Sequence, residues 1–79
     1  MKKFAVMVTD LSDNSDYKAK IVALVNSNSE AMKAAENYLD YIIKEYAKIG
    51  LTIEADEWLH ASDEYGEHAW QMSIGEIEI

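Results

Sequence analysis

His60 and His68 stand among Asp56, Glu57, Asp63, Glu64 and Glu67. Imidazole and carboxylate together are legitimate zinc ligands, so a metal site is the first chemistry to weigh for this cluster. The spacing fits no ligand motif, however, and histidines among surface acids are common, so no metal is expected. Ser62, Asp63 and His68 also supply the residue types of a nucleophilic triad. A hairpin tip, where this segment falls, offers no concave pocket, orienting shell or oxyanion hole, and Asp63 with His68 reads equally well as a cross-strand pair. There is no glycine-rich phosphate loop and no cysteine. The expectation is a protein that is not an enzyme and carries no cofactor. What remains is the stretch IEADEWLHASDEYGEHAW (residues 53–70), which holds six carboxylates, two tryptophans and two histidines without one lysine.

The formal charge of −8 on these 79 residues is unevenly distributed. Residues 1–48 contain seven acids and all seven lysines and sum to zero, whereas residues 49–79 contain eight acids and no base. There is no arginine. A chain that grips phosphates shows basic clusters and arginine forks, so direct nucleic-acid binding is not expected, and the same field repels an anionic membrane. The apolar run Phe4–Val8 is shorter than a signal peptide requires, and no segment approaches the ~20 residues of a membrane span. Without cysteine, neither a disulfide nor a thiolate zinc site can staple the fold. The sequence reads as one cytoplasmic domain over 1–79, small enough to bury only somewhat more than about 60% of its unfolded surface.

The elements that position the acidic stretch follow from periodicity. Phe4-Ala5-Val6-Met7-Val8-Thr9 is rich in strand formers and predicts a strand over 3–10. Leu11-Ser12-Asp13-Asn14-Ser15-Asp16 reads as a loop of residues that bond their own backbone. A second strand follows over 17–25, and its continuous apolar end, Ile21–Val25, suggests burial on both faces. Ser27-Asn28-Ser29-Glu30 has the spacing of a capping box. From it, Ala31, Ala35, Tyr38, Leu39, Ile42, Tyr46 and Ile49 recur at helical steps, with Tyr41 off the stripe. Lys44 and Lys48 suit the negative end of the helix dipole, and Gly50 suits a left-handed terminus, giving a helix of about 22 residues.

Residues 51–62 and 68–79 then form a hairpin around Asp63-Glu64-Tyr65-Gly66. A two-residue Tyr65-Gly66 loop pairs Glu64 with Glu67, Asp63 with His68, Ala61 with Trp70 and Leu59 with Met72. Ile53, Ala55, Leu59, Ala61, Trp70, Met72 and Ile74 then share an apolar face, opposite Glu54, Asp56, Trp58, His60 and Ser62. The alternative, a three-residue loop with a glycine bulge, slips the pairing by one and brings Trp58 beside Met72. The change from Trp70-Met72-Ile74 to Ile77-Ile79 suggests a bulge at Gly75. The expected fold class is α+β: a four-stranded antiparallel sheet in ββαββ order with one long amphipathic helix on one face.

Eight unbalanced carboxylates repel one another, and a basic partner is the economical reason to keep them together. Carboxylates along a sheet can imitate a phosphate backbone, and a basic groove built to steer nucleic acid attracts them for the same reason. Trp58 is either an exposed anchor among these acids or a core residue turned inward by a bulge at Asp56-Glu57. The candidate partner-binding residues are Glu54, Asp56, Glu57, Trp58, Asp63, Glu64 and Glu67.

In size, in the charge of IEADEWLHASDEYGEHAW, in its one-helix-and-sheet layout and in its lack of enzyme motifs, the chain resembles a class of small acidic phage and mobile-element proteins that disable bacterial defence. These are the anti-CRISPR and anti-restriction proteins, several of which act as DNA mimics. The resemblance carries no signature motif and transfers no residue roles. It implies an inhibitor that occupies the basic nucleic-acid-binding surface of a bacterial nuclease complex, in the host cytosol if phage-encoded. The other classes left open are a structural or adaptor module that docks on another protein or forms a homodimer, and an enzyme or metal protein.

Overall fold

A computed structural model describes residues 1–13, 16–57 and 59–78, with only the backbone of residues 56 and 57. The order is β1 (Lys2–Asp10), β2 (Ala19–Val25), α1 (Asn28–Ala47), β3 (Ile53–Glu57), β4 (His60–Asp63) and β5 (Ala69–Glu78). The strands form one antiparallel sheet in the order β2-β1-β5-β4-β3, so the first and last strands of the chain lie side by side within it.

The helix forms where the caps and periodicity place it. Ser27 Oγ accepts the Glu30 amide at 3.2 Å and donates to Glu30 Oε1 at 3.1 Å. The capping box is therefore closed hydroxyl to carboxylate. At the other end, Gly50 takes φ +86° while its amide and that of Leu51 donate to Ala47 O and Tyr46 O, a Schellman closure. The 20 residues between cover about 30 Å and pack across β1, β2, β3 and β5. Ala31, Ala35, Leu39 and Ile42 are buried, and Tyr38 and Tyr46 pack at their flanks. Tyr41 is exposed, as its position off the stripe requires, and so is Ile49, which falls beyond the last helical turn.

The covered sheet face supplies Val6 and Val8 from β1, Trp70 and Met72 from β5, Ala61 from β4 and Ile53 from β3, with Leu59 from the β3–β4 reversal. Phe4 and Ile74 pack against them. This is the apolar set expected from alternation, except that Ala55 is exposed on β3 at the outer edge of the sheet.

Three expectations are corrected. The sheet has five strands in ββαβββ order, because the segment expected as one strand over 51–62 folds back on itself: Ala55 pairs with Ala61 and Glu57 with His60. Gly75 carries no bulge, since β1 pairs β5 without a register shift from Lys2–Glu78 to Asp10–Trp70. The apolar residues change from even to odd positions because Ile77 lies on the uncovered face; Ile79 lies outside the described residues. The end of β2 is not buried on both faces. A register shift opposite Val6/Met7 makes Val22 the extra residue, so Val22, Ala23 and Val25 all reach the core. Ile21 and Leu24 are left 58% and 51% exposed on the other side.

Leu39→Ala and Ile42→Ala should each cost about 2–5 kcal/mol in urea unfolding, since both side chains are buried between helix and sheet. Losses within the ~0.5 kcal/mol typical of surface sites would contradict the helix orientation.

Candidate functional site

The acidic residues sit on the β3–β4 hairpin and the turn that follows, at the outer end of the sheet. Two features fix this region to the rest. At the reversal between β3 and β4, Leu59 adopts φ +57°, a left-handed conformation disfavoured for a branched side chain. It is held there by burial, and by its carbonyl, which accepts from the Met72 amide at 2.7 Å and from Gln71 Nε2 at 3.3 Å. Leu59 thereby stands opposite Met72, as the two-residue-loop register required.

The second feature is Ser12, buried where the chain leaves β1. Its Oγ accepts the Ala69 amide at 3.1 Å and lies 3.5 Å from Ala69 O, which also accepts from the Leu11 amide at 2.8 Å. Asp13 N then donates to Glu67 O at 2.9 Å. These bonds clamp the segment leaving the acidic turn against the end of β1. Asn14 and Ser15, part of the expected loop, lie outside the described residues.

The turn itself keeps the predicted register with a longer loop. Ala61 pairs with Trp70, and Asp63 N donates to His68 O at 2.9 Å, but Glu64 and Glu67 are not paired as strand residues. Gly66 N reaches Asp63 O at 3.3 Å with Gly66 at φ +74°, and Asp63 Oδ1 accepts the Glu67 amide at 2.9 Å. A four-residue loop built on a β-turn replaces the tight one because Asp63 caps it. The His68 ring joins an aromatic group with Tyr46 and Trp70, at centroid distances of 5.5 and 6.4 Å.

Of the candidate residues, Glu54 is exposed on the uncovered face, Asp63 is half-buried, and Glu64 and Glu67 are exposed in the turn. Glu54, Asp63 and Glu64 line one shallow groove with Thr52 and Ser62. The backbones of Asp56 and Glu57 belong to β3, and their side chains lie outside the described set. Trp58 lies outside the described residues, and with it both readings of its side chain. The described acids do not form one flat face, as a single long strand would have made them. The hairpin reversal instead gathers them along the rim formed by β3, β4 and the 63–67 turn.

Pairing sharpens this distribution. Among the described residues, Glu76 is bridged to Lys2 at 3.1 Å and Glu78 to the Met1 amino group at 3.2 Å, while Asp40 and Glu45 pair with Lys44 and Lys48 on the helix. No described base is bridged to Glu54, Asp63, Glu64 or Glu67. The charge of the second half of the chain is therefore divided: the two acids at the end of β5 are matched by bases at the start of β1, and the described acids of the rim are not. His60 and His68 project on opposite faces, His60 beside Gln71 on the uncovered side and His68 toward Trp70, so the sheet separates the two imidazoles. Among the described residues there is no grouping of histidine and carboxylate able to hold a metal. No described helix is long and apolar enough to cross a membrane.

Sequence reasoning missed Ser12, Gln71 and the left-handed Leu59, whose bonds and burial hold the acidic rim in place. Comparison with protein-family models, with curated proteins and with solved structures finds no match.

Ser12→Ala should cost about 1–3 kcal/mol, because the buried Ala69 amide loses its acceptor. Native-state hydrogen exchange should show the loss as faster exchange at Ala69 and through the 67–69 segment. Unchanged exchange there would mean that Ser12 does not clamp the turn.

Proposed function

We propose that this chain is an acidic binding protein that sets its β3–β4 rim on a basic, nucleic-acid-binding protein surface, and that it acts as a nucleic-acid mimic inhibiting a bacterial defence nuclease complex. The observation that carries the reading is where the unbridged acids cluster. Among the described residues Asp13, Asp16, Glu30 and Glu36 are unbridged too, but they share residues 1–48 with all seven lysines, whereas the rim acids lie in residues 49–79, which hold none. Glu76 and Glu78 on β5, and Asp40 and Glu45 on the helix, have a cationic neighbour, whereas among the described residues Glu54, Asp63, Glu64 and Glu67 are bridged to none. Leaving like charges together destabilises a small domain, and the arrangement is useful where a field must reach a positive partner. Glu54 and Glu64 border a groove that Thr52 and Ser62 also line, so charge is accompanied by hydroxyl-bearing residues, the two polar features of a sugar-phosphate strand. Recognition of this kind steers encounter more than it holds the complex. The holding contact assigned to the rim is Trp58.

A partner retained from a bacterial lysate by the immobilised chain, and identified by mass spectrometry, should itself bind DNA or RNA, and the chain should compete with that nucleic acid. Changing Glu54, Glu57, Glu64 and Glu67 to Gln and Asp56 and Asp63 to Asn removes six charges with little change in shape. The Asp63→Asn side chain still offers an oxygen to the Glu67 amide. Association with the partner should slow by about tenfold or more at low ionic strength and lose most of its salt dependence. An association rate unaffected by the six amides would refute the mimic.

Trp58→Ala tests the anchor separately. It should leave the thermal midpoint nearly unchanged and weaken binding by about 2 kcal/mol or more, chiefly through faster dissociation. A loss of about 3–5 kcal/mol in stability would assign Trp58 to the core instead.

A further inference from the structure

The helix covers one face of the sheet, and the other face divides into two halves of opposite character. Around β3, β4 and the first part of β5 it carries Glu54, His60, Ser62, Gln71 and Ser73, all polar. Around β2, β1 and the last part of β5 it carries Ile21, Leu24, Ala5, Met7, Gly75 and Ile77. Ile21, Leu24 and Ile77 are 58%, 51% and 36% exposed. Ala5 is fully buried although it lies outside the helix-side core, so its neighbours on this face already close over it. A Cβ on Gly75 would come within 3.1 Å of Met7 Cε, which shows the methionine lying across the glycine. Among the described residues no carboxylate lies in this half, and its one cation, Lys3, donates to Asn26 Oδ1.

We infer that this half of the uncovered face is the interface of a homodimer, in which two copies stack sheet on sheet about a twofold axis running across the strands between Ala5 and Met7. The register makes the patch self-complementary under that rotation. One row across the strands is Leu24, Ala5 and Gly75, and the next is Ile21, Met7 and Ser73. Exchanging the rows sets Leu24 of each copy against Ile21 of the other, so the two exposed aliphatics of β2 cover each other, while β1 and β5 contribute the closed surface that Met7 makes over Gly75 and its neighbours make over Ala5. Lys3 falls opposite Thr9 rather than opposite another lysine.

Charge selects the same arrangement. β4 runs only beside the first residues of β5, with Ser62 opposite Ala69. Reversal along the strands therefore sends the acidic rims to opposite ends of the dimer, about 30 Å apart, beyond the ~8 Å over which exposed charges act at physiological ionic strength. Two copies of this chain thus meet through surfaces free of acids. Nine residues of β1 and three strand widths give a face of about 30 by 14 Å, roughly 840 Å² over both copies and below the ~1,200 Å² of a stable specific interface, the size of a weak, transient one. The dimer is accordingly expected to be reversible at micromolar concentration. Its existence does not depend on the proposed function, and its test uses the chain alone.

Sedimentation velocity over about 1–300 µM should show a monomer–dimer equilibrium that strengthens with added salt, the reverse of the salt effect expected for binding through the rim. Leu24→Glu should give a monomer with unchanged circular dichroism and thermal midpoint, while Tyr41→Glu, on the exposed side of the helix, should leave the dimer intact. Because the chain has no cysteine, a mixture of Ile21→Cys and Leu24→Cys chains should form the mixed disulfide in preference to either self-disulfide. The cross-link reads the interface even if Leu24→Glu fails to fold. A chain that stays monomeric throughout, a dimer that survives Leu24→Glu, a dimer lost equally in Tyr41→Glu, or self-disulfides that outcompete the mixed one would each overturn the inference.

Discussion

The structure depends on the ladder between β1 and β5. These strands lie at the two ends of the described chain and pair residue for residue from Lys2–Glu78 to Asp10–Trp70, with β5 the middle strand of the sheet. Every other element attaches to this pair: β2 along one side, β4 and then β3 along part of the other, and the helix across one face. Joining the two ends of the chain carries a larger loop-closure cost than any local hairpin, though that cost grows only slowly with length. It is offset by the core that the pairing creates, since Val6, Val8, Trp70 and Met72 come together on one face only when the ladder is in register. A non-local central ladder also implies slower folding than the local helix or hairpins would show alone.

The same ladder sorts charge. It sets the amino terminus and Lys2 beside Glu78 and Glu76, and so neutralises the acids of the last strand with bases from the start of the chain. The β3–β4 hairpin is separated from β1 by β5, and among the described residues no cation of β1 is bridged to it. An even mixing of charge would have needed lysines within residues 49–79, and there are none. The concentration of charge at one end thus follows from strand order acting on a sequence whose lysines all precede residue 49.

Legibility from sequence varied with the strength of the local signal. The helix was readable at both ends because Ser27, Glu30 and Gly50 carry specific backbone chemistry and the buried stripe has a helical period. The pairing of Ala61 with Trp70 was readable because one apolar face fixes the register. The division of residues 51–62 into two strands was hidden, because a reversal normally announces itself with Gly, Asn or Asp, and here the left-handed position is taken by Leu59. Its conformation depends on burial against the core and on bonds from Met72 and Gln71, which no local window contains. The bulge in β2 was hidden for a related reason: a continuous apolar run from Ile21 to Val25 looks the same whether it is buried on both faces or shifted by one residue onto two sides. For the candidate site, the acids were legible as a cluster, but which of them stay unbalanced was not, since that depends on which strands become neighbours.

Leu59 connects the core to the charge. A residue that made the reversal easily, such as glycine, would accept the left-handed conformation without strain but would leave a void beside Met72 and Ala61. Leucine reverses that balance: the backbone carries a strain of about 1–2 kcal/mol, and burial of the side chain contributes a similar or larger amount in return. The hairpin is thus held by the core rather than by its own turn. Its acidic rim projects from a segment whose geometry is set by tertiary packing, which allows the flanking residues to be chosen for charge instead of for turn formation. That freedom lets Glu54, Asp56 and Glu57 occupy an outer strand, where their like charges also discourage the open edge of β3 from pairing with another chain. The opposite edge, β2, is guarded differently, by its bulge at Val22 and by Lys20, its only charged residue, while Ile21 and Leu24 are exposed on its uncovered face. One side of the sheet repels its own kind and the other is left apolar, and both conditions trace to where the central ladder places its neighbours.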